Sequence, residues 1–179
     1  MRPAKVRVSV RCVAVLGSGT IREGSRAYDQ AVLLGKELGE RGFCVCHGGY
    51  GGVMEAVARG VKMAGGRNVG VTIGRSLKNV NPWTDEAIQM PSWEKRLLKL
   101  VEKGDAYVFL DGATGTLNEL FFIWEMANKK LHQKPIMILG GRLRRLIRTL
   151  KKDPGLRVPP KLCMVTSVPE AVRSLVRAR

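Results

Sequence analysis

Two glycine-rich segments have the composition of turns that bind phosphate. They are His47-Gly-Gly-Tyr-Gly-Gly-Val-Met54 and Asp111-Gly-Ala-Thr-Gly-Thr-Leu-Asn-Glu119. Glycine lets backbone amides approach an anion closely, and the unpaired N–H groups of a helix N-terminus then bind it. A third segment, Gly17-Ser-Gly-Thr20, adds two hydroxyl groups. The predicted phosphate- and nucleotide-binding residues are Gly17, Ser18, Gly48, Gly49, Gly51, Gly52, Met54, Gly112, Thr114, Gly115 and Thr116.

Two common phosphate-binding patterns are absent from these segments. Gly17-Ser-Gly-Thr20 does not continue as the dinucleotide fingerprint GxGxxG, because Arg22 and Glu23 occupy the later positions. No Gly-Lys-Ser/Thr follows either glycine run, so the Walker pattern is also missing. A single glycine turn could serve only to reverse the chain between a strand and a helix. Two such turns, each entering a helix, favour phosphate binding over simple turn formation.

Short apolar runs alternate with helical patterns along the chain. Strands are predicted over residues 11–16, 43–46, 69–73, 106–110, 135–139 and 161–166, with a short extended piece near 87–89. Helices are predicted over residues 25–41, 53–64, 92–103, 116–130, 142–152 and 170–177. Repeated strand–helix units of this length imply parallel strands, right-handed crossovers and helices on both faces. We therefore expect one Rossmann-like α/β domain over residues 1–179, with a doubly wound, mainly parallel sheet flanked by helices and with 1–10 and 167–179 at its periphery.

The two glycine segments also match the signatures of a known family. The chain resembles the LOG family, nucleoside 5′-monophosphate phosphoribohydrolases that activate cytokinins and were long mislabelled as lysine decarboxylases. The family signatures GGGxxGxM and PGGxGTxxE correspond to residues 47–54 and 111–119, and the resemblance runs from about Cys12 to Leu139. The Asn81-Pro82-Trp83 loop and residues 51–60 are more similar to another branch, which includes molybdenum cofactor carrier proteins that bind a phosphorylated pterin.

The resemblance implies a catalytic pair, Glu119 and Arg96. Glu119 matches the glutamate that closes the second signature, and Arg96 lies nine residues before Asp105, at the spacing of the catalytic arginine in LOG proteins. Cleavage of an N-glycosidic bond places oxocarbenium-like charge on the sugar, which a nearby carboxylate can stabilise while it orients or deprotonates water. A guanidinium offers forked donors to phosphate, ribose hydroxyls or the carboxylate. The alternatives are a structural glutamate paired with a nearby base and an arginine on a solvated helix face with Lys95 and Lys99.

Three residues depart from the family signatures. Asp111 replaces a proline, Ala113 replaces a glycine, and His47 replaces the first glycine of the other signature. A β-carbon at Ala113 is tolerated where its φ is negative, but it could push a phosphate outward. The carboxylate of Asp111 is expected to oppose a phosphate unless a nearby base neutralises it. These changes weaken the expectation of catalysis more than that of the fold.

The net charge of +16, from 31 basic and 15 acidic residues, favours polyanionic partners such as nucleic acid or phosphorylated small molecules. The basic residues are densest over 142–152, where Leu143, Leu146, Ile147 and Leu150 recur at helical spacing. This segment predicts an amphipathic helix whose basic face is either solvated or bound to nucleic acid. No recognised nucleic-acid-binding motif accompanies it.

Neither a metal site nor a membrane segment is predicted. The four cysteines, Cys12, Cys44, Cys46 and Cys163, have no CxxC spacing and no histidine cluster, so buried reduced thiols are expected. The chain has no apolar run of about 18 residues and no secretory signal, which favours a cytoplasmic protein. No cofactor is required, although a bound nucleotide or molybdenum cofactor is compatible with the site. Family members commonly form homodimers, and the aromatic residues of helix 116–130 offer an interface.

Three functions remain open from the sequence. The first is a phosphoribohydrolase that releases a free base and ribose 5-phosphate from nucleoside 5′-monophosphates. The second is a noncatalytic carrier of a phosphorylated cofactor such as molybdenum cofactor, and the third is a basic protein associated with nucleic acid. Trp83 is the best candidate to stack on a base or pterin. Trp124 is expected to pack in the core or in a dimer interface, and Trp93 to support Arg96.

Overall fold

Seven short apolar segments pair into one parallel sheet in the computed structural model, which describes residues 11–74 and 77–178. The strands are β1 (Cys12–Leu16), β2 (Cys44–His47), β3 (Asn68–Ile73), β4 (Glu86–Met90), β5 (Ala106–Phe109), β6 (Ile136–Ile138) and β7 (Leu162–Met164). Their order in the sheet is β4-β3-β2-β1-β5-β6-β7, and each neighbouring pair is parallel. The central strands are nearly continuous apolar runs, as expected of strands that are buried on both faces. The predicted periphery at residues 1–10 lies outside the described residues.

Six helices in the described part of the chain cover the two faces of the sheet. They are α1 (Arg26–Glu40), α2 (Val53–Met63), α3 (Trp93–Lys103), α4 (Thr114–Asn128), α5 (Gly141–Leu150) and α6 (Val168–Arg177). Helices α1, α2 and α6 contribute to one apolar core, and α3, α4 and α5 contribute to the other. Alternate residues of β1 face opposite cores, Val13 and Val15 the first and Ala14 and Leu16 the second. The predicted doubly wound, Rossmann-like fold is confirmed.

The direction of the strand order changes between β1 and β5 at the centre of the sheet. The chain moves outward from β1 to β4 on one side and from β5 to β7 on the other. The loops that leave these two central strands diverge, because β1 leads into α1 on one face and β5 into α4 on the other. Such a switch point opens a crevice at the carboxyl ends of the strands. Gly17, Ser18 and Thr116 line this crevice.

Helix α6 lies deeper in the protein than the sequence indicates. Residues 167–179 are expected at the periphery, but Ala171, Val172 and Leu175 are fully buried and belong to the same core as α1 and α2. The reason is the i, i+1, i+4 spacing of these apolar side chains, which forms a stripe on one side of the helix.

Two other elements have different bounds from those predicted. Helix α4 begins at Thr114 rather than Thr116, because Ala113 in an extended conformation already serves as its N-cap. The short piece predicted near 87–89 is part of a full edge strand, which pairs with β3 along its length.

Helix α5 has the amphipathic character predicted for residues 142–152. Leu143 and Ile147 are buried in the core that α5 shares with α3 and α4, whereas Arg145 and Arg148 are exposed. Binding of nucleic acid by this basic face stays a prediction.

The cysteines are free thiols in different surroundings. Cys46 is buried, while Cys12 and Cys44, which pair across β1 and β2, are partly buried. Cys163 is exposed on the edge strand β7, so the expectation of a buried thiol is wrong for this residue. Across residues 11–74 and 77–178, no three His, Cys, Asp or Glu side chains are arranged to hold a metal ion. No helix in the same residues has the length and apolar composition needed to cross a membrane.

Candidate active site

The first turn of α4 has no side-chain cap. Its N-cap is Ala113, which has no side-chain oxygen, so no capping side chain satisfies the N–H groups of this turn. The helix dipole adds partial positive charge at the same end. Thr116 is buried beside these amides and contributes a hydroxyl group. This combination favours an anion such as phosphate.

A cavity of about 210 Å³ opens at this end of α4. It is lined by six of the predicted binding residues and by both catalytic candidates: Gly17, Ser18, Gly48, Met54, Gly115, Thr116, Arg96 and Glu119. These residues meet because β1, β2 and β5 are parallel neighbours that end at the same edge of the sheet. The structure therefore brings the three glycine segments and the predicted catalytic pair to one site.

Five predicted binding residues lie outside the cavity lining, namely Gly49, Gly51, Gly52, Gly112 and Thr114. A β-carbon on Gly52, whose φ is +68°, would lie 2.3 Å from the carbonyl oxygen of Ser18. A β-carbon on Gly112 would lie 2.1 Å from Thr116 Oγ1 in its own turn and 3.0 Å from the backbone nitrogen of Ser18 in the turn after β1. These two glycines therefore allow the turns to approach one another, while Thr114 is exposed.

Arg96 is held inside the protein by backbone carbonyls. Its Nε donates to Val71 O at 2.8 Å, and its Nη2 donates to Gly48 O at 3.3 Å. The guanidinium also lies over the ring of Tyr50, 5.6 Å from the centroid. The alternative of a solvated helix face is therefore wrong for Arg96. Trp93 is exposed, and the contacts that hold Arg96 come from β3 and the glycine turn after β2.

Glu119 faces Arg96 in the cavity. Its Oε1 lies 3.6 Å from Arg96 Nη1, and the two side chains are only 13% and 10% exposed. Burial raises the pKa of Glu119 to about 7, although the positive charge of Arg96 acts in the opposite direction. The pair implied by the family signatures is thus in place, with a carboxyl group that titrates near neutral pH. The catalytic role of both residues stays a prediction.

His47, which replaces the first glycine of the family signature, is buried and stabilises the glycine turn after β2. Its Nδ1 accepts a hydrogen bond from Gly49 N at 3.0 Å, so Nε2 carries the proton and donates to Asn68 Oδ1 at 3.0 Å. Burial lowers the pKa of His47 to about 4, which keeps the ring neutral. Sequence reasoning missed this supporting role, because Asn68 lies in another strand.

Asp111 does not direct its charge at the predicted phosphate site. Its Oδ1 accepts from Leu143 N at 3.0 Å and its Oδ2 from Arg142 N at 3.1 Å, so the carboxylate binds the N-terminus of α5. The expectation that Asp111 would repel a phosphate is therefore not supported, because the dipole of α5 compensates the negative charge of its carboxylate. Ala113 has a φ of −96°, which meets the condition for tolerating a β-carbon there.

The tryptophans do not form the wall of the cavity. Trp83 lies in a loop with the guanidinium of Arg59 over its ring, 5.6 Å from the centroid, and it is absent from the cavity lining. Trp124 is buried and donates from Nε1 to Arg157 O at 2.7 Å, which confirms packing in the core. Phe121 on the same helix is exposed, and its use in a homodimer stays a prediction.

Comparison with known proteins gives the same relationships as the glycine signatures. A rice protein, the probable cytokinin riboside 5′-monophosphate phosphoribohydrolase LOGL5, is 31% identical over 148 residues, which are 79% of this chain and 60% of the rice protein. The chain spans 52–60% of the length of three such rice relatives. The cytokinin riboside 5′-monophosphate phosphoribohydrolase LOG7 of Arabidopsis thaliana is 30% identical, with 99% of this chain and 83% of that protein covered.

The fold is also shared with a solved structure. The molybdenum cofactor binding protein of Rippkaea orientalis superposes with a TM-score of 0.77 at 22% identity, covering 94% of this chain and 96% of that one. The model of the SLOG cluster4 family matches residues 10–169. The chain therefore belongs to the SLOG cluster4 family, among the LOG-type proteins that its two glycine signatures indicate.

Proposed function

We propose that the protein hydrolyses the N-glycosidic bond of nucleoside 5′-monophosphates and releases a free base and ribose 5-phosphate. The observation that carries the proposal is the buried pairing of Arg96 and Glu119, 3.6 Å apart, in the cavity that also contains the uncapped start of α4. An anion site and a carboxyl group in one cavity match the phosphate and the anomeric carbon of such a substrate. The rice and Arabidopsis relatives, which are named for this reaction, support the same function.

In this proposal the substrate phosphate binds at the N-terminus of α4. The N–H groups of Gly115 and Thr116 and the hydroxyl of Thr116 supply donors on one side. Ser18 supplies a hydroxyl on the other side, and its Oγ is positioned by the backbone N–H of Thr20 at 3.1 Å. A β-carbon built on Gly115 would meet no atom within 4 Å, so there is room beside its backbone for phosphate oxygens.

Glu119 supplies the acid–base chemistry. When the C1′–N bond breaks, its electron pair leaves with the base, which takes a proton from solvent. The carboxylate stabilises the positive charge that develops on the sugar. It then accepts a proton from the water molecule whose oxygen forms the new C1′–O bond. With a pKa of about 7, Glu119 can accept and return this proton near neutral pH, while Arg96 orients the carboxylate and the ribose hydroxyls.

The test is a panel of nucleoside 5′-monophosphates, read by mass spectrometry for free base and ribose 5-phosphate. Equimolar release of both products from at least one purine nucleotide is the expected result. Glu119→Gln should abolish release, whereas Glu125→Gln, on the exposed side of the same helix, should retain it. Folded protein that releases neither product from any nucleotide would contradict the proposal.

A noncatalytic carrier of a phosphorylated cofactor is the second candidate. It is supported by the fold shared with the molybdenum cofactor binding protein and by Ala113, which stands in the cavity wall where LOG proteins have a glycine. The N-terminus of α4 would then bind the phosphate of a pterin. Retention of a fluorescent pterin through gel filtration, with no base released from any nucleotide, would favour this function over hydrolysis.

A further inference from the structure

A second cavity, of about 350 Å³, lies beside the first. Ser18 and Thr20 line both cavities, so the loop after β1 forms the wall between them. The second cavity extends from this wall to α1, the end of β5 and the start of α5. Its lining includes Ile21, Ala27, Gln30, Leu110, Asp111 and Arg142.

Three polar groups in this second cavity have hydrogen-bonding capacity left. The amide of Gln30 is partly buried and makes no side-chain hydrogen bond to any described residue. Each carboxylate oxygen of Asp111 accepts one N–H group from α5 and keeps a further lone pair. Arg142 donates from Nη2 to Gly112 O at 3.3 Å, which leaves its other N–H groups for a ligand.

This lining matches a hydroxyl-bearing group that is attached through a phosphate. A carboxylate and an amide are the usual partners of sugar hydroxyls, and a guanidinium binds phosphate oxygens through forked donors. The aliphatic side chains of Ile21 and Leu110 complete the wall, as they do in most small-molecule sites.

The position of the second cavity relative to Glu119 and the phosphate turn indicates whether it is next to the base or to the 5′-phosphate of the ligand. In the function proposed above, C1′ lies at Glu119 and the 5′-phosphate lies at the start of α4. Asp111 directly precedes Gly112 of the phosphate turn, and Arg142 donates to Gly112 O, whereas neither residue lines the first cavity, where Glu119 lies. The second cavity is therefore adjacent to the phosphate and not to the base.

We propose that the natural ligand extends beyond its 5′-phosphate into the second cavity, as a nucleoside 5′-diphosphate joined to a sugar or similar polyol. This inference rests on the proposed function for the placement of the phosphate. The first cavity, at about 210 Å³, is smaller than the roughly 300–1,000 Å³ of typical ligand pockets, whereas the two cavities together fall within that range. A ligand that spans both would use the uncapped N–H groups of α4 on one side of Ser18 and the remaining hydrogen-bonding capacity of Gln30, Asp111 and Arg142 on the other.

The test compares the affinities of AMP and ADP-glucose by titration calorimetry. Both are measured with this chain carrying Glu119→Gln, so that neither probe is consumed. ADP-glucose is expected to bind about tenfold more tightly than AMP. Ala27→Trp, which places a large ring in the second cavity from an exposed position of α1, should remove this advantage and leave the affinity for AMP unchanged. Gln30→Leu should reduce the advantage severalfold.

Leu33→Trp is the matched control, because it adds the same ring at an exposed position of α1 outside the cavity. Equal or weaker binding of ADP-glucose would overturn the inference, and so would an advantage that survives Ala27→Trp. The proposed hydrolysis is judged separately by release of base from monophosphates in the unsubstituted protein. If the unsubstituted protein cleaves AMP but the Glu119→Gln variant binds ADP-glucose no more tightly than AMP, the extended ligand is refuted and the proposed hydrolysis stands.

Discussion

Replacement of Glu119 by glutamine should abolish base release and stabilise the fold at alkaline pH. Burial raises the pKa of this carboxyl group from 4.5 to about 7. A carboxyl group with a raised native pKa stabilises the native state fully below its unfolded pKa, and this contribution is lost as the pH rises through the native pKa. Glutamine resembles the protonated acid and cannot ionise, so the variant escapes that loss.

The size of the effect follows from the pKa difference. One pKa unit corresponds to about 1.4 kcal/mol, so ionisation of Glu119 costs the native protein about 3 kcal/mol of unfolding free energy above pH 8. At pH 5 the cost is below about 1 kcal/mol, because the native carboxyl group is still protonated. The unfolding free energy of Glu119→Gln, relative to the unsubstituted protein, should therefore rise by about 2 kcal/mol between pH 5 and pH 8.5.

Urea titrations of both proteins at the two pH values measure this change. Glu125→Gln, on the exposed side of α4, controls for the loss of one negative charge from a chain of net charge +16. A gain in stability that accompanies a loss of activity is expected where function keeps a group in an unfavourable environment. A stability difference that is identical at both pH values would refute the reasoning, because it would show that folding does not raise the pKa of Glu119.

Four further substitutions test other contacts of the site. Arg96→Met leaves Glu119 buried without its cation and frees two backbone carbonyls, so base release should be lost and urea titrations should show a cost of about 3 kcal/mol. Gly115→Ala adds a β-carbon in open space and should weaken phosphate binding in calorimetry without a loss of stability. Gly112→Ala places its β-carbon 2.1 Å from Thr116 Oγ1 and should destabilise the fold by about 2 kcal/mol; a stable variant would contradict the close packing of the turns. Asp111→Ala removes the side-chain cap of α5 and should cost about 1 kcal/mol, seen as a lower Tm.

The elements of the fold are predictable because each is marked by its own local pattern. The apolar run at 11–16 contains β1, and the helical stripe within 142–152 contains most of α5. Parallel strands then require their carboxyl ends to share one edge, so the segments 47–54 and 111–119 are expected at a common site. Local periodicity and one topological rule are sufficient for this part of the structure.

The environment of Arg96 is not predictable in this way. The carbonyls that fix its guanidinium belong to Val71 and Gly48, which lie 25 and 48 residues away in the chain. Its neighbours in sequence, Lys95 and Lys99, indicate a solvated face equally well. Only the packing of α3 against β3 and the glycine turn after β2 determines that Arg96 points inward. The family signature predicted the residue, whereas its burial and its distance to Glu119 depend on tertiary contacts.

Two neighbouring helix N-termini at this site differ in whether the protein itself supplies an anion. The first turn of α5 is occupied by the protein's own carboxylate, since the N–H groups of Arg142 and Leu143 both donate to Asp111. The first turn of α4 follows Ala113, which has no side-chain oxygen to occupy it. A phosphate at α4 would therefore meet a helix end without a side-chain cap, while the N–H groups and the dipole of α5 stabilise the negative charge of Asp111. The replacement of the family proline by Asp111 is thus compatible with phosphate binding at α4.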